Sequence, residues 1–149
     1  MPVMKSDSFR LVVLSLTIAA KCVSVTLGMS TVPSPNNRKE AAGTTLKFDF
    51  GPGIVAAGHT QVLQTTAYSK ELGYGFEPGA SVSCIDRGGK DALRNGLCTS
   101  DKPFFFSVAL PEGNYSVTIT FGDQNAETIT TVKAELRRLM LEKVSIAAG

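Results

Sequence analysis

Apolar and polar residues alternate along two neighbouring stretches in the second half of the chain. In residues 104–110 large apolar side chains at 104, 106, 108 and 110 fall on one face of a period-two pattern, and residues 115–121 repeat the pattern at 115, 117, 119 and 121. A period of two is typical of half-buried β-strands. Residues 111–114, Pro-Glu-Gly-Asn, suit a tight reversal, because proline fixes φ while glycine and asparagine tolerate the left-handed region. The pattern therefore predicts an antiparallel hairpin.

Short stretches of the same kind, separated by turn residues, continue through most of the chain after residue 43. We predict a loop for residues 87–103, which are rich in Gly, Asp and Lys. About seven short strands with turn signals between them predict an all-β fold, an antiparallel β-sandwich of the jelly-roll kind. Besides the hairpin, the strand candidates are residues 45–50, 61–66, 73–76, 80–86 and 127–134.

Residues 134–144 are compatible with either a helix or a strand. Leu136, Leu139, Met140 and Val144 recur at helical spacing, and local propensity favours a helix. Read as a strand, the same residues place Leu139 and Leu141 on the face opposite Met140. Periodicity alone leaves both assignments open.

The N-terminus has the features of an export signal. Lys5 and Arg10 precede the apolar residues 11–20, and Lys21 makes that stretch too short for a membrane span of about 20 residues. We interpret residues 1–28 as a signal peptide or N-terminal hydrophobic segment. The alternatives are an uncleaved anchor, which would be the protein's one membrane contact, and a chance apolar start. The interpretation predicts a secreted, periplasmic or cell-surface protein.

Domain organisation and charge follow from the same division of the chain. Residues 29–43 are a polar linker, and residues 44–149 form the sandwich domain. The formal net charge is +2, but residues 44–149 hold 10 basic and 11 acidic side chains. Because the folded part is near neutral and has no basic run, we exclude nucleic acid as a partner.

Cysteine and histidine usage limits the chemistry of the chain. In an oxidising compartment Cys84 and Cys98 are candidates for a disulfide, and the alternative is two buried free thiols. His59 is the sole histidine, and its distance from the cysteines along the chain does not fit zinc-ligand spacing. We therefore predict no metal site and no cofactor.

The chain carries no recognisable catalytic motif. No serine lies in a Gly-x-Ser-x-Gly context, and Gly122-Asp123-Gln124 resembles the Gly-Asp-Ser nucleophile block of SGNH hydrolases but lacks its serine. We interpret this tripeptide as a turn. The sequence predicts no catalytic residue.

Aromatic residues near turns are candidates for contact with a sugar. Tyr68, Tyr74 and Phe76 would offer rings for the apolar faces of a sugar, while Asp49, Asp86 and Arg87 would bind its hydroxyl groups. The alternative is that aromatic residues in strands belong to the core.

Five motifs occur in one order along the chain: Lys-Phe-Asp-Phe-Gly-Pro-Gly (residues 47–53), Gly-Tyr-Gly-Phe within residues 67–79, residues 85–94, the predicted hairpin at 104–123 and residues 130–144. As a set they resemble the N-terminal domain of rhamnogalacturonan acetylesterase-type carbohydrate esterases. In that family a galactose-binding-like or malectin-like sandwich precedes an SGNH hydrolase domain that deacetylates pectic polysaccharide.

The resemblance implies a fold and a function. It favours a strand over a helix for residues 134–144, and it implies a galactose-binding-like domain truncated before a catalytic domain. We accordingly expect an exported accessory domain of a pectin-directed esterase, whose partners are a pectic polysaccharide or other glycan and a downstream SGNH hydrolase domain. The alternatives are a purely structural packing domain and a cell-surface adhesion module, neither of which binds glycan.

Overall fold

The computed structural model describes residues 8–15, 26–28, 45–110, 115–134 and 138–149. These residues form β-strands joined by loops, with a single short helix. The prediction of an all-β fold is therefore confirmed. The elements are β1 (Ser8–Ser15), β2 (Thr26–Gly28), β3 (Phe48–Phe50), β4 (Thr60–Val62), β5 (Tyr74–Phe76), β6 (Ser83–Asp86), α1 (Ala92–Asn95), β7 (Gly96–Thr99), β8 (Phe104–Ala109), β9 (Ser116–Thr118), β10 (Thr128–Ala134) and β11 (Arg138–Ile146).

The strands form one large antiparallel sheet and three strand pairs. The large sheet has the order β11-β10-β1-β8-β5, and the pairs are β2-β9, β3-β4 and β6-β7. The β3-β4 pair is parallel, unlike the others. The core lies between the large sheet and the pairs, since it draws buried residues from β3, β4, β5, β7, β8 and β10. This layering is that of a β-sandwich.

The prediction of a hairpin is correct for the two strands and wrong for their pairing with each other. The predicted inward face is confirmed: Phe104, Phe106 and Val108 are buried, and Tyr115 and Val117 pack partly buried against the core. Burial does not alternate throughout β8, however, because Ser107 on the opposite face is also 0% exposed. However, β8 pairs with β1 on one edge and with β5 on the other, while β9 pairs with β2. A strand has two edges, so β8 has none left for β9. The turn at residues 111–114 lies outside the described residues.

Aromatic rings fill the centre of the core. The Phe106 ring meets those of Phe50, Phe48 and Phe76 at centroid distances of 4.8, 5.4 and 5.5 Å. All three contacts are edge-on, with interplanar angles of 67°, 73° and 72°, which is a favoured geometry for aromatic pairs. This group of rings joins β3, β5 and β8 across the two layers.

The predicted loop at residues 87–103 contains structure that its composition did not indicate. The Asp91 carboxylate caps α1 by accepting a hydrogen bond from the Leu93 N–H at 3.1 Å. The helix lasts one turn and leads directly into β7, which pairs with β6. The short strand was missed because its sequence, Gly-Leu-Cys-Thr, is too brief to show alternation.

The β6–β7 pair carries the predicted disulfide. Cys84 and Cys98 are opposite each other in the ladder, with Cα atoms 4.0 Å apart, and their sulfur atoms are bonded. The bridge is thus confirmed, and the alternative of two free thiols is wrong. It fastens β7, which includes the fully buried Leu97, to the neighbouring strand.

The two ends of the chain contribute to the large sheet. Residues 138–146 form β11, so the strand assignment favoured by the resemblance is confirmed and the helix is wrong. At the other end, β1 lies between β8 and β10. Export remains a prediction, and the linker at residues 29–43 lies outside the described residues. The helix in the described part of the chain is far shorter than a membrane span.

Two glycines allow backbones to approach each other closely. Gly51, directly after β3, has φ 119°, and a Cβ there would collide with the backbone of Gly96 and Leu97. Gly75, in β5, has φ 141°, and a Cβ would collide with the backbone of Ala67 and Tyr68. These φ values lie in a region that residues with a Cβ rarely adopt. Gly51 brings the end of β3 against the start of β7, beside the polar loops described next.

Candidate functional site

A buried ion pair joins two loops at one end of the sandwich. Arg87 follows β6, and Asp123 lies between β9 and β10. The Arg87 Nε and Nη2 atoms donate to Asp123 Oδ1 and Oδ2 at 3.2 and 2.8 Å. The Asp123 side chain is 0% exposed, whereas that of Arg87 is 25% exposed. This fork-on-fork geometry holds the guanidinium in one orientation while part of it remains at the surface.

Backbone groups complete the setting of the ion pair. The Asn125 N–H donates to Asp123 Oδ1 at 3.0 Å, and the Gly149 N–H donates to the Asp123 carbonyl at 3.1 Å. On the other side, the Arg87 N–H donates to the Asn95 carbonyl at 2.8 Å. We call Asp86, Arg87, Asn95 and Asp123 the Arg87 cluster. It ties the loops after β6 and β9 to the end of α1.

Asn95 adds a buried amide to the Arg87 cluster. Its Nδ2 donates to the Gly89 carbonyl at 3.0 Å, and the residue is 2% exposed. Its Oδ1 is buried and accepts no hydrogen bond from any residue that the structure describes. An unsatisfied buried acceptor costs free energy, so a bridging water is expected here.

The surface next to the Arg87 cluster combines polar and aliphatic groups. Asp86 is exposed and accepts a hydrogen bond from the Gly88 N–H at 2.8 Å, and its carboxylate lies against Gly53. Ile54, the next residue, is 67% exposed, and Leu93 on α1 is 38% exposed. A guanidinium, a carboxylate and aliphatic surface together match a sugar, which presents hydroxyl groups and C–H faces.

Two of the predicted ligand residues are buried and unavailable to a sugar. Phe76 is 3% exposed, and its ring packs edge-on against those of Phe50, Phe104 and Phe106. Asp49 is also 3% exposed, and its Oδ2 accepts a hydrogen bond from the Ala56 N–H at 3.0 Å. Phe76 therefore serves the core, and Asp49 stabilises the loop after β3.

The two tyrosines lie apart from Arg87. Tyr74 is half-buried, with its ring 4.9 Å from that of Phe48, and it pairs with Val108 near the end of β8. Tyr68 is also half-buried, and its N–H donates to the Phe76 carbonyl at 2.8 Å beside β5. Both belong to the part of the molecule around β5.

Strand directions show that Tyr74 and Arg87 lie toward opposite ends of the large sheet. Strands β8 and β10 run the same way, because each is antiparallel to β1. Tyr74 lies near the end of β8, whereas the Arg87 cluster lies near the start of β10, since Ile146, the partner of Thr128, lies against Gly122. The residues predicted to contact a sugar therefore do not form one site, and of them only Asp86 and Arg87 are part of the cluster.

The sequence reasoning missed the partner that makes Arg87 notable. Asp123 was assigned to a turn, which is its local role, but its side chain bonds Arg87 from 36 positions away. A carboxylate directly after an alternating strand was the available signal. No local pattern could indicate which basic side chain pairs with the Asp123 carboxylate.

Acidic, histidine and cysteine side chains are scattered in the described residues. No three of them come together as metal ligands there. His59 lies in the loop before β4, where its Nδ1 is 3.1 Å from the Ala57 carbonyl oxygen.

The described strands form an all-β sandwich with polar loops at one end, an architecture that fits a galactose-binding-like domain. The chain belongs to the beta-agarase/YXIM esterase-like, galactose-binding domain-like family, whose model matches residues 46–141. This membership confirms the resemblance to the galactose-binding-like domain of a carbohydrate esterase. Most of the described sandwich, including the Arg87 cluster, lies within the matched region.

Two curated relatives carry the same kind of domain. The chain is 30% identical over 91 residues to the uncharacterized esterase YxiM of Bacillus subtilis, covering 58% of this chain and 24% of that protein. It is 31% identical over 105 residues to beta-agarase A of Zobellia galactanivorans, covering 67% of this chain and 19% of that protein. The chain thus spans a quarter or less of these relatives. No solved structure matches it significantly.

Proposed function

We propose that this chain is an exported, carbohydrate-associated accessory module of a pectin-directed, rhamnogalacturonan acetylesterase-like enzyme, without a catalytic site of its own. Support comes from relatives that are named an esterase and an agarase, because these names point to different chemistry on polysaccharides. A domain shared by two such proteins is better suited to contact the polysaccharide than to perform either reaction.

The observation that carries the proposal is the orientation of Arg87. Its guanidinium is fixed by the buried Asp123 carboxylate, yet a quarter of the side chain is exposed. Because the Asp123 carboxylate already fixes the orientation of the guanidinium, the Arg87 side chain loses little conformational entropy when it binds hydroxyl oxygens. The exposed Asp86 carboxylate supplies an acceptor nearby, and Ile54 and Leu93 supply apolar surface. This combination supports glycan contact at the Arg87 cluster.

Calorimetric titration with oligosaccharides tests the proposal. We expect binding of rhamnogalacturonan oligosaccharides and weaker binding of agaro-oligosaccharides. Arg87→Lys keeps the charge but loses the fork, and we expect it to weaken binding several-fold. Lys70→Ala, at an exposed position in the turn before β5, is the matched control and should bind as the parent chain does. Absence of heat at millimolar ligand would overturn glycan binding.

An assay with a chromogenic acetate ester tests the non-catalytic part of the proposal. We expect no turnover above the rate in buffer, because no nucleophile block is present in the sequence. Ester cleavage that survives further purification would contradict it. Export is tested separately by fusing residues 1–28 to a reporter and looking for processed reporter outside the cytoplasm. The Cys84–Cys98 bridge is consistent with export, since disulfides persist in oxidising compartments.

Exposed aliphatic residues favour a second candidate function, packing against a catalytic domain. Ile54 and Val55, in the loop after β3, are 67% and 36% exposed, and Leu93, on α1, is 38% exposed. An apolar patch beside polar groups is typical of a protein interface. If packing is the function, Ile54→Ser should weaken association with an SGNH hydrolase domain and leave glycan titrations unchanged. If Ile54 contacts glycan, the same variant should lower glycan affinity.

A further inference from the structure

Strand β1 occupies the middle of the large sheet. It pairs antiparallel with β8, from Ser8 opposite Ala109 to Val13 opposite Phe104. On its other edge it pairs with β10, from Leu11 opposite Ala134 to Ser15 opposite Thr130. Both edges of β1 are thus used along most of its length.

The position of β1 in the sheet contrasts with its position in the chain. The family region begins at residue 46, so a central strand of the sheet comes from outside it. Apart from β1, the neighbour of β8 is β5 and the neighbour of β10 is β11. Removal of β1 would leave two two-stranded ribbons with facing unpaired edges. Such ribbons are marginally stable, and exposed edges bind other strands.

The residues of β1 also form part of the predicted export signal. Arg10 and the apolar residues that follow it belong both to β1 and to the predicted export signal. A segment engaged in export cannot lie in the sheet at the same time. The two roles therefore compete for the same residues.

We propose that the gap between β8 and β10 is a strand-binding site, and that its resident ligand, Ser8–Ser15, is exchangeable for a free peptide strand of the same sequence. Binding is by β-strand addition, in which main-chain hydrogen bonds on both edges supply the affinity. The inference is independent of glycan binding, because it concerns the sheet and not the Arg87 cluster.

The register defines what the site accepts. Positions 9, 11 and 13 of the strand pair with Val108, Phe106 and Phe104, which are 2%, 1% and 3% exposed. In an antiparallel ladder, paired residues share a face of the sheet. Because the partners on β8 are buried, we expect a ligand with apolar residues at every second position, a pattern that the sequence contains at positions 9, 11 and 13. Proline is excluded, since both edges require main-chain donors.

A proline variant of the full chain tests the site. We expect Leu11→Pro to lower the unfolding temperature by about 10 °C or more, because it removes a donor from a central strand. Asn37→Pro, in a stretch that already contains prolines, is the matched control and should shift it by less than about 2 °C. A peptide of residues 7–16 should restore most of the loss in a one-to-one complex, and the same peptide carrying Leu11→Pro should not.

A cross-linked chain provides a second measurement in case Leu11→Pro does not fold. Val12 and Lys133 are partners in the ladder, so Val12→Cys with Lys133→Cys, in a Cys22→Ser background, should form a disulfide identifiable by mass spectrometry. Val12→Cys with Lys102→Cys is the control pair. The Cys22→Ser chain should take up a fluorescent peptide of residues 7–16, and the cross-linked chain should exclude it.

Each contrary outcome overturns the proposal. Equal unfolding temperatures for Leu11→Pro and Asn37→Pro, or no cross-link at Val12 and Lys133, would show that β1 is not in the sheet. A stable cross-link with no peptide uptake by the Cys22→Ser chain would show that β1 is a permanent strand. Equal uptake by the cross-linked chain would place the peptide elsewhere.

Discussion

Two buried centres hold this domain together by different physical means. At the aromatic core, Phe106 is 1% exposed and meets three phenylalanine rings. At the loop end, Asp123 is 0% exposed and accepts hydrogen bonds from Arg87 and Asn125. The two side chains are almost equally buried, but they are held by different forces. Apolar contact depends mainly on volume, whereas a charged hydrogen bond depends on direction and on a specific partner.

The comparison teaches where the domain tolerates change. A core of rings in edge-on contact accepts another apolar side chain of similar volume at modest cost. Replacing the buried carboxylate by an uncharged side chain leaves its donors without a charged acceptor, which is costly. We therefore expect the core to tolerate an apolar substitution of similar volume better than the Arg87 cluster tolerates the loss of a charge, and paired substitutions can test this difference.

The largest effect is expected at the core. Phe106→Ala removes a ring from the centre of the aromatic group and should lower the free energy of unfolding by about 3–5 kcal/mol. Chemical denaturation monitored by circular dichroism measures the change. Phe106→Leu is the control and should cost less than about 1.5 kcal/mol, because it keeps most of the apolar volume. Equal destabilisation by Phe106→Leu and Phe106→Ala would contradict the view that the core depends mainly on apolar volume.

The disulfide should rank next. Cys84→Ala with Cys98→Ala opens a loop of about 15 residues and should cost about 3 kcal/mol. Denaturation of the double variant beside the parent chain gives the value. The single variant Cys22→Ser leaves the bridge intact and serves as the control for altered thiol content. A loss below about 1 kcal/mol would mean that β7 is held by its own packing.

Asp123→Asn sharpens the comparison at the polar centre. The change is nearly isosteric but removes the charge that binds the Arg87 fork, and it should cost about 2–3 kcal/mol. That value should exceed the cost of Phe106→Leu, although the latter changes shape more. Asp101→Asn, at an exposed loop position, is the matched control and should be nearly neutral. Equal stability of Asp123→Asn and the parent would refute a directional role for the ion pair.

The smallest effect concerns an exposed turn with hydrogen bonds but without burial. Backbone hydrogen bonding, and then a hydrogen bond from Ser69, lower the pKa of the Glu71 carboxyl. Ser69→Ala should therefore raise the pKa of Glu71 part of the way toward its ordinary value, as measured by NMR titration. Because the pKa of Glu71 is lower in the folded state than in the unfolded state, ionisation of this carboxyl stabilises the fold at pH values above the unfolded pKa. This stabilisation is lost as the pH falls through the folded pKa. For this exposed group the stability change should lie within experimental error.

The sequence predicted the parts of the fold that local patterns encode. The alternation in β8 and β9, the strand at residues 73–76 and the bridge between Cys84 and Cys98 were all recognisable. The pairing of β8 was not, because turn chemistry at residues 111–114 is compatible with a reversal between sheets as well as within one. Which edges of β8 are free depends on β1 and β5, which are distant in the chain.

The candidate site was less predictable than the fold. Aromatic residues near turns were natural candidates, but Phe76 is drawn inward by the rings around it and Tyr74 packs on Phe48. The sequence indicated Arg87 as a candidate site residue, but it did not indicate the ion pair with Asp123 that fixes the Arg87 side chain. Side chains that pair across loops leave no periodic signal, so their site emerges only from the tertiary structure.

The place of β1 has a consequence for the order of events during synthesis. At about 5–20 residues per second, a ribosome would reach Ala134 roughly 6–25 s after Leu11, its partner in the ladder. Of the described strands, β1 is made first, and its ladder with β10 cannot be complete until residue 134 has been made. If residues 1–28 act as the predicted export signal, the export machinery and the growing domain would compete for the same eight residues during that interval, and the speed of translation would then influence where the protein goes.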